Sequence, residues 1–136
     1  MKNRILIALV SLPMLAFAVN SAYASTNINQ ELSTAIAQAS KAQKASSVQQ
    51  ADHYLHTVIN CLVGTSGAGF DKTAGDPCNG ERNGAIKDYN KGTVDTQYLK
   101  QALEDAQYGL LTSRVKIAQS AANMALGNLQ SAQERL

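Results

Sequence analysis

Apolar residues recur at three- and four-residue spacing in two regions of the chain, which is the pattern of one helix face. Residues 25–63 carry two such stripes: Leu32, Ala35, Ile36, Ala39 and Ala42, then Val48, Ala51, Leu55, Val58 and Leu62. Residues 95–136 carry two more: Leu99, Ala102, Leu103, Ala106 and Leu110, then Leu111, Val115, Ala118, Ala122, Ala125, Leu129, Ala132 and Leu136. The pattern predicts an all-α protein built from Ala-rich helices.

The two stripes of each region differ in phase by about a third of a turn, so the two halves of a region bury different faces. Neither Pro nor a Gly-rich turn interrupts either region. We therefore expect two continuous helices packed as an antiparallel hairpin. Breaks near Ser46 and Gly109 would instead give a compact four-helix bundle.

The segment between the helical regions, residues 64–94, has the composition of a loop. Seven of the nine glycines lie between Gly64 and Gly92, together with Pro77. Cys61 and Cys78 are the only cysteines of the chain. In an oxidising compartment they are expected to pair, and the disulfide would tie the end of the first helical region to the middle of the loop. Ligation of a metal by two thiolates is the alternative, and it conflicts with export.

The first 24 residues have the organisation of an export signal. Lys2 and Arg4 precede an apolar run, Ile5–Val19, and Ala22-Tyr23-Ala24 places small residues where signal peptidase requires them. The run is shorter than the roughly 20 residues that a membrane-spanning helix needs. The sequence predicts cleavage after Ala24 and a single helical domain, residues 25–136, in the periplasm or the extracellular medium.

Charge argues against two classes of partner. The chain has 12 Lys and Arg against 10 Asp and Glu, and removal of Lys2 and Arg4 leaves 10 against 10. A neutral chain without a basic cluster is not expected to bind nucleic acid or, after signal cleavage, a membrane surface. The sequence contains neither a nucleotide-binding motif nor a CxxCH haem attachment motif, so neither cofactor is expected. No nucleophile is paired with a histidine in sequence, and we expect no enzymatic activity.

The residues most capable of binding a metal ion lie close together on one predicted helical turn. His53 and His56 are three residues apart and Asp52 and His56 four apart, so the three side chains share one helix face. Imidazole and carboxylate together suit zinc, copper or nickel. One helix turn rarely completes a site, and the loop offers three carboxylates as further ligands: Asp71, Asp76 and Glu81. The alternative is that both histidines are ordinary residues of a solvated helix face.

The same segment carries a resemblance. It reads His53-x2-His56-x3-Asn60-Cys61-Leu62-Val63-Gly64, followed by Gly69-Phe70-Asp71, Gly75-Asp76-Pro77-Cys78 and Asn83-Gly84-Ala85-Ile86. It resembles a module of about 35 residues in small exported bacterial helical proteins of unassigned function. More loosely, the chain is similar to periplasmic small metal-binding proteins, which carry many histidines in repeats. This chain has two histidines, so the resemblance implies at most one metal site per chain.

Two functional hypotheses follow from these observations. In the first, the protein binds one transition-metal ion through His53, His56 and Asp52. In the second, it is a structural or adaptor module whose helix faces pack against a second copy of the chain or a periplasmic partner protein.

Overall fold

The computed structural model describes the backbone of residues 19–81, 83–89 and 96–136, with side chains from residue 28 onward. Within these ranges, five helices follow one another: α1 (Val19–Gln43), α2 (Val48–Val63), α3 (Ala85–Tyr89), α4 (Gln97–Leu110) and α5 (Val115–Gln133). A single 3₁₀ turn, Lys72–Ala74, lies in the loop between α2 and α3. No strand occurs within these ranges, so the predicted all-α class is confirmed.

Each predicted long helix is broken into two, so the expectation of continuous helices was wrong. The first break precedes Ser47, whose hydroxyl accepts a hydrogen bond from the Gln50 backbone N–H as the N-cap of α2. The Gln50 side chain in turn accepts a hydrogen bond from the Ser46 backbone N–H at 2.8 Å. At the second break the Thr112 hydroxyl accepts from the Arg114 backbone N–H. These side chains take over backbone hydrogen bonds that a continuous helix would have made, so each chain reversal leaves few unpaired groups.

The four longer helices form a bundle. Helix α1 packs against α2 and α5, and α4 packs against the same two helices. The core contains leucines together with many alanines; the fully buried leucines are Leu32, Leu55, Leu62, Leu99 and Leu129. The breaks let all four stripes face this one core, which accounts for the change of phase within each region.

The loop after α2 is joined to α2 by a disulfide, and its first and last glycines pack against each other. The predicted disulfide is confirmed: Cys61 of α2 is bonded to Cys78 of the loop, with Cα atoms 5.3 Å apart. Gly64 and Gly84 lie back to back with φ angles of 69° and 101°. A Cβ atom on Gly84 would lie 2.4 Å from the Gly64 nitrogen, so the two chain segments can approach this closely only as glycines.

Two sequence predictions concern the start of the described chain and the segment between the two helical regions. The apolar run of the predicted export signal lies outside the described residues except for Val19, and the predicted cleavage point after Ala24 falls within α1. The predicted loop, residues 64–94, contains helix α3, whose Tyr89 hydroxyl donates a hydrogen bond to the Ala132 carbonyl of α5. In the described part of the chain, no helix combines the length and the apolar character needed to cross a membrane.

Candidate functional site

The candidate metal-binding residues lie on the part of α2 that faces away from the bundle centre. The opposite side of α2 buries apolar residues, including Leu55 and Val58. Asp52 and His56 are partly exposed, one helical turn apart, and His53 is exposed. The i, i+4 spacing therefore brings the carboxylate of Asp52 and the imidazole of His56 onto one surface, as the sequence predicted.

The loop brings a second carboxylate to this surface. The Asp71 Oδ2 atom lies 3.5 Å from His56 Nδ1, and each of the two side chains is about one-third exposed, 29% and 34% respectively. The other carboxylate oxygen, Oδ1, accepts hydrogen bonds from both the backbone N–H and the hydroxyl of Thr73, at 2.8 and 2.6 Å. Thr73 thus fixes the rotation of the Asp71 carboxylate, and Oδ2 is the atom left to face the imidazole.

Asn60 determines where Asp71 lies. Its side chain is buried on α2, one turn after His56. Its amide oxygen accepts a hydrogen bond from the Asp71 backbone N–H at 2.8 Å, and its amide nitrogen donates to the Asp71 carbonyl at 2.7 Å. The same nitrogen donates to the Gly75 carbonyl at 2.6 Å. Three hydrogen bonds from one buried amide therefore hold the loop against α2 beside His56.

Two polar atoms at this surface are buried without a hydrogen bond. Asp52 Oδ1 and His56 Nδ1 are both shielded from solvent, and neither has a hydrogen-bond partner among the described residues. Burial raises the pKa of Asp52, and the nearby His56 opposes part of this effect. A buried carboxylate oxygen without a donor is costly, and such atoms are more frequent at functional sites than elsewhere.

The pKa of Asp71 is shifted in the other direction. Hydrogen bonds from the Thr73 hydroxyl and backbone N–H lower it, and the interaction with His56 lowers it further. The two carboxylates that flank His56 therefore differ in their environments: Asp71 is held ionised by donors, whereas Asp52 is disfavoured in its charged form by burial.

The remaining predicted ligands are not part of this arrangement. His53 packs its ring edge against Tyr54, with ring centroids 5.2 Å apart, and the described contacts do not join it to His56. Asp76 accepts a hydrogen bond from the Cys78 backbone N–H, and Glu81 accepts from Gln30 and Thr34 of α1. Of the three loop carboxylates, Asp71 is the one that contacts the histidine.

The side chains present do not by themselves form a complete metal site. Within residues 28–81, 83–89 and 96–136, no group of three or more His, Cys, Asp or Glu side chains is arranged to hold a metal ion. Cys61 and Cys78 are bonded to each other and offer no thiolate. Asp52, His56 and Asp71 supply one imidazole and two carboxylates on one surface, and their side chains would have to converge to bind an ion.

Sequence reasoning missed two buried carboxylates, Glu31 and Asp88. Glu31 is 1% exposed in α1 and accepts a hydrogen bond from the Gly84 backbone N–H at 3.2 Å, which fastens the far end of the loop. Its position gives a signal that could have been noticed: Glu31 is three residues after Ile28 and four before Ala35, on the face that builds the core. A charge at such a position indicates a specific polar partner.

The apolar stripes that suggested a partner surface are largely buried inside the bundle. Ala118, Ala122, Ala125, Leu129 and Ala132 are fully buried in the bundle. The large apolar side chains exposed among the described residues are Tyr108, Leu111, Met124 and Leu136. Contacts with a second copy or another protein stay a prediction, but the buried stripes no longer support it.

Comparison of the chain with protein-family models, with curated proteins and with solved structures gave no match.

Proposed function

We propose that the protein is an exported, non-enzymatic helical protein that binds one transition-metal ion between α2 and the loop. The ligands are the His56 imidazole, the Asp71 carboxylate and the Asp52 carboxylate. The environment of His56 Nδ1 supports this proposal. This atom is buried without a hydrogen bond and lies 3.5 Å from Asp71 Oδ2. Asp52, whose Oδ1 is also buried without a hydrogen bond, is one helical turn away.

The donor set indicates the class of metal. One imidazole nitrogen and two carboxylate oxygens suit borderline divalent ions such as zinc, copper or nickel, with water completing the coordination. Binding would also offset the cost that burial imposes on the Asp52 carboxylate, because the cation supplies the opposite charge that the side chain lacks. This differs from the sequence-based hypothesis in one respect: Asp71 replaces His53 as the third ligand.

A titration with matched histidine variants tests the proposal. The disulfide-bonded protein is titrated with Zn(II), Cu(II) and Ni(II) by calorimetry, alongside His56→Ala and His53→Ala. We expect one ion per chain, a loss of affinity of about tenfold or more in His56→Ala, and near-normal affinity in His53→Ala. Equal affinity in His56→Ala and the wild type would reject this site and favour a structural or adaptor role.

The loop carboxylates provide a second matched pair. Asp71→Asn removes a proposed ligand, whereas Asp76→Asn removes a carboxylate that accepts a hydrogen bond from the Cys78 backbone N–H. We expect Asp71→Asn to weaken metal binding more than Asp76→Asn does. Because the imidazole binds the metal in its neutral form, protons compete with the metal and affinity should also fall at acidic pH. A pH-independent affinity between pH 5 and about 8 would contradict a histidine ligand.

Export is supported by the organisation of residues 1–24 and is compatible with the disulfide. Fractionation of the expressing bacterium, with intact-mass measurement of the recovered protein, tests this part of the proposal. We expect a periplasmic or secreted chain that begins at Ser25 and contains no free thiol. A cytoplasmic chain that retains its first 24 residues would refute it.

A further inference from the structure

The loop contains two Asn–Gly pairs four residues apart, one exposed and one held by hydrogen bonds. Asn79-Gly80 lies immediately after Cys78, and Asn83-Gly84 lies where the loop returns to the bundle. An Asn–Gly pair can convert spontaneously because the glycine, without a Cβ atom, leaves its backbone nitrogen accessible to the preceding side chain. We infer that Asn79 is a site of conversion to aspartate and isoaspartate, and that the fold protects Asn83.

The chemistry requires the glycine nitrogen and the asparagine amide to meet. The backbone nitrogen of Gly80 loses its proton and attacks the side-chain carbonyl carbon of Asn79. A carbon–nitrogen bond forms, ammonia leaves with the proton that the solvent returns, and a five-membered succinimide results. Water then opens either of its two carbonyls, which gives aspartate or, through the other bond, isoaspartate. The reactants are the two residues and water, and no oxidant or reductant is involved.

At Asn79 both reacting groups are available. Asn79 and Gly80 are both exposed, and Gly80 has a positive φ of 83° with open space around it. The turn that contains them is closed by the Glu81 backbone N–H, which donates to the Cys78 carbonyl at 2.9 Å. Neither the Gly80 N–H nor the Asn79 side-chain amide has a hydrogen-bond partner in the described part of the chain. Neither the attacking nitrogen nor the amide under attack has to break a protein contact.

At Asn83 both reacting groups are held. The Gly84 N–H donates to the buried carboxylate of Glu31 at 3.2 Å. This hydrogen bond stabilises the protonated nitrogen and so opposes loss of its proton, which is the step that creates the nucleophile. The Asn83 side-chain amide donates to Asp88 at 3.1 Å, and its backbone N–H donates to the same carboxylate at 3.0 Å. Gly84 is also packed against Gly64, so the main chain has no room to rotate into the geometry of attack.

The two sites can be measured separately in one experiment. Trypsin cleaves after Lys72, Arg82 and Lys87, so Asn79 falls in peptide 73–82 and Asn83 in peptide 83–87. The full disulfide-bonded chain is incubated in mildly alkaline buffer, then reduced and digested at mildly acidic pH, where further conversion is slow. Mass spectrometry with separation of aspartate and isoaspartate isomers gives the rate at each site. The control is the same chain, reduced and unfolded in urea in the same buffer.

We expect conversion at Asn79 to be at least about tenfold faster than at Asn83 in the folded protein, and the two rates to approach each other in urea. Asn79→Gln should remove the faster reaction and leave the slower one unchanged. Comparable rates at the two sites in the folded chain, or conversion at Asn79 only after unfolding, would overturn the inference. The result is independent of metal binding, because neither asparagine is a proposed ligand.

Discussion

Replacing Asn60 with alanine removes the contact that fixes the loop beside His56. The Asn60 side chain is 1% exposed and makes three hydrogen bonds to the loop backbone, at 2.8, 2.7 and 2.6 Å. A hydrogen bond of this kind contributes about 1 kcal/mol net to the free energy of unfolding. Because the loop groups can reach water once they are released, we expect Asn60→Ala to lower the free energy of unfolding by about 3 kcal/mol.

Urea unfolding of the disulfide-bonded protein, followed by circular dichroism, measures this loss. With an m-value of about 2 kcal/mol per molar urea, the midpoint should fall by about 1.5 M. Asn79→Ala is the matched control, since Asn79 is an exposed loop asparagine, and its effect should stay within about 0.5 kcal/mol. Hydrogen exchange adds a local measurement: the Asp71 amide proton, which Asn60 accepts, should exchange faster in Asn60→Ala.

Asn60→Asp distinguishes the hydrogen bonds from the shape of the side chain. The variant has almost the same volume, but it replaces an amide donor with a carboxylate oxygen that faces the carbonyls of Asp71 and Gly75. It should be at least as destabilising as alanine at neutral pH. If Asn60→Ala behaved like the Asn79→Ala control, or if Asn60→Asp were as stable as the wild type, the reasoning would be wrong.

Three further predictions concern the loop, the disulfide and the carboxylates near His56. Gly84→Ala should lower the free energy of unfolding by about 3–5 kcal/mol, because the new Cβ would lie 2.4 Å from the Gly64 nitrogen. Gly75 also has a positive φ but open space around it, so Gly75→Ala should lower it by only about 1 kcal/mol; thermal unfolding compares the two. Replacing both cysteines with alanine should cost about 3 kcal/mol, while the loop amide protons stay protected at low denaturant. Burial raises the pKa of Asp52, so its charged form destabilises the fold, and Asp52→Asn should raise the melting temperature at neutral pH. Hydrogen bonds lower the pKa of Asp71, so its charged form stabilises the fold, and Asp71→Asn should lower the melting temperature. Both differences should vanish as the pH falls through the carboxyl range; equal shifts of one sign would contradict this assignment.

The sequence was sufficient for the helical class and for the disulfide. The spacing of Leu and Ala reports the helix faces directly, since a helix must bury its apolar side regardless of what packs there. Cys61 and Cys78 had one possible partner each within the chain, so their pairing required no knowledge of the fold.

The helix breaks could not be decided from the sequence because the competing free energies are small. A continuous helix through Ser46 and Ser47 loses no apolar burial locally, and a serine N-cap contributes only about 1 kcal/mol. What favours the break is the packing of α1 and α2 on each other, which involves residues far from the turn. The change of stripe phase was a local indication of the break, but a long helix with two different neighbours would explain the same change.

The candidate site was predictable on the helix and unpredictable in the loop. Asp52 and His56 lie on one surface because of i, i+4 geometry, which any helix provides. Asp71, Asp76 and Glu81 were equivalent in the sequence, and the choice among them depends on Asn60 and on the turn that Thr73 makes with Asp71. Hydrogen bonds of a buried amide to backbone atoms leave no periodic pattern that could identify them in advance.

The dependence of Asp71 on Asn60 links loop stability to the proposed metal site. An ion that binds only the docked loop stabilises the protein by about 2.7 kcal/mol when its concentration is 100 times its dissociation constant. This is close to the roughly 3 kcal/mol expected from the three Asn60 hydrogen bonds. Excess metal should therefore raise the unfolding midpoint of the wild type clearly, and that of Asn60→Ala much less at the same concentration, because the variant holds Asp71 near His56 for a smaller fraction of the time. An equal rise in both proteins would mean that the ion binds without the loop, and the proposed ligand set would have to exclude Asp71.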